Sequence, residues 1–188
     1  MNNPAYKCER EDYEIINGKV YMMSRPSINH AQIEGNINSI FKTYLKGKTC
    51  RPFNEVDVFF DDDNNFVPDV LIVCNPAIIR EAGIYGTPDL IVEILSKTTA
   101  VKDKMDKFIA YEKYGVKEYW IVNPFDKSVE VYINRENKFY RDGVYQFYND
   151  DEYNNLNEDQ KALASREIKV SLYDDFYVKL EDIFEYVE

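Results

Sequence analysis

Histidine is almost missing from this chain: among 188 residues, His30 is the only one. A single imidazole cannot build the histidine clusters of HNH nucleases, HExxH proteases or histidine-based phosphoesterases. Cysteine is scarce as well. Cys8, Cys50 and Cys74 are odd in number, far apart and without a CxxC pair, which argues against both a thiolate zinc site and a disulfide framework. Cys74, at the end of an apolar run, reads as a small core residue. No stretch reaches the roughly 18–20 apolar residues of a membrane span. The start, MNNPAYKCEREDYE, is too polar and charged to act as a secretory signal. The expectation is a cytoplasmic protein with no membrane partner. Positive charge is also in deficit, with Lys and Arg totalling 23 against 34 Asp and Glu, a net charge of −11. No basic stripe of the kind that marks tight DNA binders is visible, so avid nonspecific binding is not expected.

The acidity is uneven. Residues 142–188 carry 13 acidic and 4 basic side chains, whereas residues 1–141 carry 21 and 19. The body is nearly neutral and the tail holds the charge. The length fits one domain over residues 1–188, with a core at about 13–141 and an acidic hairpin and loop extension at about 142–188. Sixteen Tyr and 11 Phe favour β-rich packing over a helical bundle.

Local patterns give the element order. YEIINGKVYMM (13–23) reads as a hairpin turning at Asn17-Gly18. Ser27 is placed to cap a helix running to about Lys46, with Ile33, Ile37, Ile40, Phe41 and Tyr44 as its buried stripe. Phe53–Phe60 and Phe66–Cys74 read as strands around the polar turn DDDNN, and Leu90–Leu95 as a short apolar strand. A helix from about Val101 to Tyr114 buries Val101, Met105, Phe108 and Ile109, and Gly115 stops it. EYWIV (118–122) and VEVYI (129–133) are strands. Residues 149–159 read as a mobile polar loop, and Leu180–Tyr186 as a helical turn. The sum is an α/β sandwich around a mixed sheet flanked by helices, with extra β-hairpins.

Two carboxylates interrupt apolar strands. Asp69 in VPDVLIVC shares a strand face with Leu71 and Val73, and Glu93 in LIVEIL shares one with Ile91 and Leu95. An ionised carboxylate in such a run is costly unless something offsets it. Exposure or an ion pair would do so for either residue alone. Two carboxylates on adjacent strands also form part of a Mg²⁺ or Mn²⁺ shell, and with one histidine any metal must rest mainly on oxygen.

PD at 68–69, GTPDLIVEILS at 86–96, then Thr99, Asp103, Lys107, Tyr111 and GVKEYWIVNP at 115–124 together resemble the Uma family of restriction endonucleases, within the PD-(D/E)XK nuclease superfamily. YEIINGKV at 13–20 and PS…H at 26–30 extend the resemblance to roughly residues 13–133. It implies a restriction-endonuclease-like fold and metal-dependent hydrolysis of DNA phosphodiester bonds. Asp69 matches the motif aspartate and Glu93 the (D/E) position, and the backbone carbonyl of Ile94 would be a further metal ligand. The superfamily's lysine, two residues after Glu93, is replaced by Leu95. The matching lysine in the resembling family is Lys107, on the following helix. Periodicity alone leaves Lys104 in competition, and Lys97 keeps the strand parity of Glu93. A long lysine stem can return its ammonium to a site from a neighbouring element. His30 matches the family's histidine and would stand beside the metal ligands; its plain alternative is a core or capping role. Ser96 has neither an adjacent base nor a nucleophile-elbow pattern. Trp120 and Tyr119 read as core.

The expected partner is DNA, bound weakly and with steep salt sensitivity, and a homodimer is left open. The rival from another class is a non-catalytic nuclease-fold module that binds protein or nucleic acid, which the missing in-strand lysine and the absent basic stripe favour.

Overall fold

The chain opens on the expected hairpin. Strands β1 (Tyr13–Ile16) and β2 (Lys19–Met22) pair antiparallel with Ile16 opposite Lys19. Asn17 and Gly18 take φ of 51° and 73°, the left-handed pair that a two-residue type I′ turn demands. This computed structural model describes residues 13–96 and 101–188, with side chains in the second helix described from Met105 onward.

Helix α1 (Ile28–Leu45) begins where expected, because the Ser27 hydroxyl accepts the His30 N–H at 3.3 Å. Ile33, Ile37, Phe41 and Leu45 recur every four residues and are buried, each worth roughly 1.5–3 kcal/mol of burial. Ile40 and Tyr44 lie on the shoulders of that stripe, half-buried.

The next region departs from the sequence reading. Each of the two long strands read there is divided, giving β3 (Arg51–Asn54), β4 (Val58–Asp61), β5 (Asn64–Phe66) and β6 (Val70–Val73). Glu55, at φ 48°, turns the first strand, and its N–H reaches the carbonyls of Pro68 (3.2 Å) and Asp69 (3.3 Å). Pro68, which has no N–H to lend a ladder, marks the break in the second. Both strands change sheet at this crossing, and Asp69 sits on it.

The remaining strands are β7 (Ile79–Arg80), β8 (Gly83–Tyr85), β9 (Leu90–Ile94), β10 (Glu118–Asn123), β11 (Ser128–Arg135), β12 (Lys138–Gln146), β13 (Glu167–Lys169) and β14 (Tyr177–Lys179). The remaining helices are α2 (Val101–Tyr114), α3 (Asp150–Asn154), α4 (Glu158–Leu163) and α5 (Leu180–Ile183). The central sheet has the order β12-β11-β10-β9-β6-β3 and the outer sheet β2-β1-β5-β4-β8-β7, with β13 and β14 as a separate pair. Both large sheets are mixed, parallel at β9/β10 in one and at β4/β8 in the other.

Strand alternation divides the central sheet's side chains between two cores. Val70, Ile72, Leu90, Val92 and Trp120 pack with α1 and with the C-terminal residues Ile168, Phe176, Leu180 and Ile183. Leu71, Val73, Ile91, Tyr119 and Ile121 face the outer sheet and α2. β12 runs across the position where the acidic extension was read to start, and residues beyond it fill the first core.

Three expectations need correcting. Cys50 and Cys74 form a disulfide. Arg51 pairs with Val73 in antiparallel register, so residues 50 and 74 face each other, a neighbour relation that spacing along the chain cannot reveal. On α2, Met105 and Ile109 are 59% and 56% exposed, while Ala110 and Tyr111 are buried. The inward line runs through Lys107, Phe108 and Tyr111: Phe108 packs on Tyr119, Tyr132 and Phe139 as part of the second core, and the same face carries Lys107 and the Tyr111 hydroxyl inward. Residues 149–159 hold α3 and the start of α4, each opened by an asparagine capping box, Asn149 with Glu152 and Asn157 with Gln160. Among the described residues, no helix is long and apolar enough to cross a membrane.

Candidate active site

β6 and β9 are antiparallel neighbours with Val70 opposite Val92, so one step outward Asp69 faces Glu93. Directly opposed residues on antiparallel strands lie on one face of the sheet. The Ile94 N–H donates to Asp69 Oδ2 at 2.5 Å, which fixes that carboxylate against the end of β9. The connection between the two strands, residues 75–89, contributes β7 and β8 to the outer sheet.

Lys107 arrives from α2. Its ammonium lies 3.1 and 3.2 Å from the two oxygens of Glu93, and the Tyr111 hydroxyl, one turn further on, donates to Glu93 Oε1 at 2.7 Å. His30, from the first turn of α1, places Nε2 3.3 Å from Asp69 Oδ1, and its Nδ1 is buried without a hydrogen-bond partner among the described residues. A third carboxylate was not foreseen: Glu14 of β1 lies 2.7 Å from the Lys107 ammonium. Glu14, His30, Asp69, Glu93 and Lys107 line a cleft of about 190 Å³, whose rim includes Arg25 from the loop after β2. Lys97 and the Lys104 side chain lie outside the described residues.

Glu14 carried a signal of the same kind as Asp69 and Glu93. In Tyr13–Ile16 it shares strand parity with Ile16, and both are buried while Tyr13 is exposed. Arg25 carried none, because a loop arginine has no periodicity to break.

The electrostatics follow from three carboxylates crowding one lysine. Burial raises the Glu93 pKa, and the charges of Asp69 and Glu14 push it the same way against the pull of Lys107. Burial would lower Lys107, but Glu93 and Glu14 outweigh it and hold the amine above its ordinary range. Burial opposes His30 too, yet its bond to Asp69 leaves the imidazole raised. Tyr111 is lifted well above its ordinary value by burial and then by Glu93. Lys107 is therefore a fixed cation, and negative charge remains in excess.

The donor set suits a hard divalent cation. Among the described residues no group of three or more His, Cys, Asp or Glu side chains is arranged to hold a metal ion. Two carboxylates on one face, with the remaining positions left to water or substrate, is how Mg²⁺ is ordinarily held.

The arrangement of two mixed sheets with α1 and α2 is a fold shared with a nuclease-like structure. A crystal structure described as a "putative nuclease belonging to DUF820" from Anabaena variabilis superposes with a TM-score of 0.72 at 20% identity, covering 95% of this chain and 92% of that one. The profile of the Uma2 family, described as "Putative restriction endonuclease", matches residues 5–166, and the chain belongs to that family. Two uncharacterized proteins from a Synechocystis strain are similar over 127 residues each, at 28% and 26% identity. The first match spans 66% of this chain and 67% of its relative, the second 65% and 72%.

Proposed function

We propose that this protein is a metal-dependent endonuclease that hydrolyses phosphodiester bonds in DNA. The observation that carries the reading is the opposition of Asp69 and Glu93 on one sheet face, with the Lys107 ammonium 3.1 Å from Glu93 in the same cleft. Asp69 and Glu93 would hold Mg²⁺ or Mn²⁺, with the Ile94 carbonyl as a further oxygen donor. The ion, when bound, would lower the pKa of a coordinated water and neutralise charge on the phosphate.

The chain's own groups define the rest. Lys107, held cationic, stabilises the negative charge that develops on the attacked phosphate rather than removing a proton. His30 orients the Asp69 carboxylate through Oδ1 while the Ile94 N–H orients it through Oδ2. Arg25, on the rim, is placed to meet a neighbouring phosphate. The binding-module alternative drew its support from Leu95 and from the absence of a basic stripe; a lysine delivered from α2 answers the first of these and favours catalysis.

The test is incubation with supercoiled plasmid and, separately, with nucleotide monoesters, each with Mg²⁺ or Mn²⁺. Nicking or linearisation of plasmid with monoesters untouched is the expected result. Monoester hydrolysis alone would make this a small-substrate phosphoesterase, and no cleavage of either would leave the binding module.

A further inference from the structure

The opening hairpin is clamped to the body independently of Asp69 and of Glu93 on β9. Ile15 pairs with Asn65, the Gly18 N–H donates to the Asp63 carbonyl at 2.9 Å, and the Asn17 N–H donates to Asn64 Oδ1 at 3.0 Å. Glu14, on this hairpin, is fixed by a backbone bond: its Oε1 accepts the Val67 N–H at 2.8 Å. The same oxygen lies 2.7 Å from the Lys107 ammonium, nearer than either oxygen of Glu93. Lys107 thus spans two carboxylates, one on a rigid hairpin and one beside Asp69.

The two carboxylates have different freedom. Glu93 cannot give the same lone pairs to Lys107 and to a divalent ion, so occupation of the site on Asp69 and Glu93 weakens the bond between Glu93 and Lys107. Glu14 is held differently, because its Oε1 is anchored by the Val67 amide. We infer that Glu14 is a positioning residue: it takes over the Lys107 ammonium when Glu93 turns to the cation, which keeps that ammonium in the cleft and lowers the competition between lysine and metal. The inference rests on the proposed metal site and makes the β1–β2 hairpin part of the active site.

The experiment measures Mn²⁺ affinity by titration calorimetry without DNA, on the full chain, for the wild type, Glu14→Gln, Lys107→Gln and the double variant. Asp69→Ala is the control. Gln at position 14 keeps an acceptor for the Val67 N–H and loses only the charge, so its melting temperature should stay close to wild type. With Lys107 present, Glu14→Gln should weaken Mn²⁺ binding about tenfold, because the ammonium then stays on Glu93; with Lys107→Gln the same change should cost less than about threefold, the coupling expected of residues that act through one another. Lys107→Gln alone should tighten binding, and Lys107→Met, a second variant, guards against a folding defect specific to glutamine.

For plasmid cleavage, Glu14→Gln should lower kcat with little change in KM for DNA, and add nothing to the loss caused by Lys107→Gln. Equal weakening of Mn²⁺ binding in both backgrounds would make Glu14 a direct ligand or a simple charge and overturn the inference. So would no weakening in either. If Asp69→Ala binds Mn²⁺ as the wild type does, the metal site itself is wrong, an outcome separate from both.

Discussion

Glu93 and Glu118 are glutamates on neighbouring strands, and their surroundings solve the same desolvation problem in opposite ways. Glu118, fully buried on β10, accepts from Trp120 Nε1 at 2.6 Å, from the Ser171 N–H at 2.7 Å and from the Ser171 hydroxyl at 2.6 Å. All three donors are neutral and the last two come from the C-terminal segment, so this carboxylate ties that segment to the central sheet. Glu93, on β9, receives a lysine and a tyrosine hydroxyl, opens on a cleft and faces two more carboxylates. Burial raises the pKa of both. What separates a clamp from a site is therefore not the burial of a carboxylate but what surrounds it: enough neutral donors to satisfy it, or like charges and open volume that leave it under-neutralised.

The comparison breaks most clearly under alanine substitution. Glu93→Ala should lower DNA cleavage by about a thousandfold or more through loss of the ion, at a smaller cost in stability, because relief of the repulsion from Asp69 and Glu14 offsets the Tyr111 hydroxyl left unpaired. Glu118→Ala should do the reverse, costing about 3 kcal/mol of stability by leaving buried donors unpaired while cleavage by the folded fraction persists. Chemical denaturation alongside plasmid cleavage for the two variants checks both halves.

Metal addition sharpens the contrast by a smaller amount. At about 100 times the dissociation constant, Mg²⁺ or Mn²⁺ should stabilise the wild type and Glu118→Gln by about 2.7 kcal/mol and leave Asp69→Ala and Glu93→Ala unmoved. Thermal melts across a metal titration provide the readout.

A pH dependence follows from the raised carboxylates. Glu93 is pushed up from 4.5 to about 7, so between those values the folded chain keeps a proton that the unfolded chain has lost. The metal-free protein should accordingly lose stability as pH rises through that window. Glu118 is raised too and contributes in the same direction. Stability measured against pH should flatten partly in Glu93→Gln and partly in Glu118→Gln. Saturating metal should remove only the Glu93 share, since the ion requires that carboxylate ionised.

The smallest effect concerns the acidic helices α3 and α4. Replacing Asp150, Asp151 and Glu152 with their amides should tighten DNA binding less than about threefold at low salt and not at all above physiological salt, where exposed charges are screened. Fluorescence anisotropy at two salt concentrations measures it. No change at low salt would mean that α3 faces away from bound DNA.

Much of the candidate site was legible in the sequence because its residues violate local patterns. Asp69 and Glu93 stood out as charges in apolar strands, and antiparallel register then placed them opposite each other. The Asn17-Gly18 turn and the Ser27 cap were equally readable, since each depends on local backbone chemistry. The division of Arg51–Asp61 and Asn64–Val73 between two sheets was not, because it depends on Glu55 meeting the carbonyls of Pro68 and Asp69 across the crossing. The Cys50–Cys74 pair and the clasp between Glu118 and Ser171 were hidden for the same reason, as contacts between distant segments. Lys107 was reached through family resemblance rather than periodicity. Glu14 could have been found by applying the strand-parity argument to the opening hairpin.

The central claim is that Asp69 and Glu93 hold the divalent ion with which this chain cuts DNA. Its most direct test is conversion of supercoiled plasmid by the wild type and by Asp69→Ala, with Mg²⁺, with Mn²⁺ and with a chelator. The account predicts nicked and linear products for the wild type with either metal, none with chelator and none for Asp69→Ala under any condition. Cleavage by Asp69→Ala at the wild-type rate, or wild-type cleavage that survives the chelator, would contradict it.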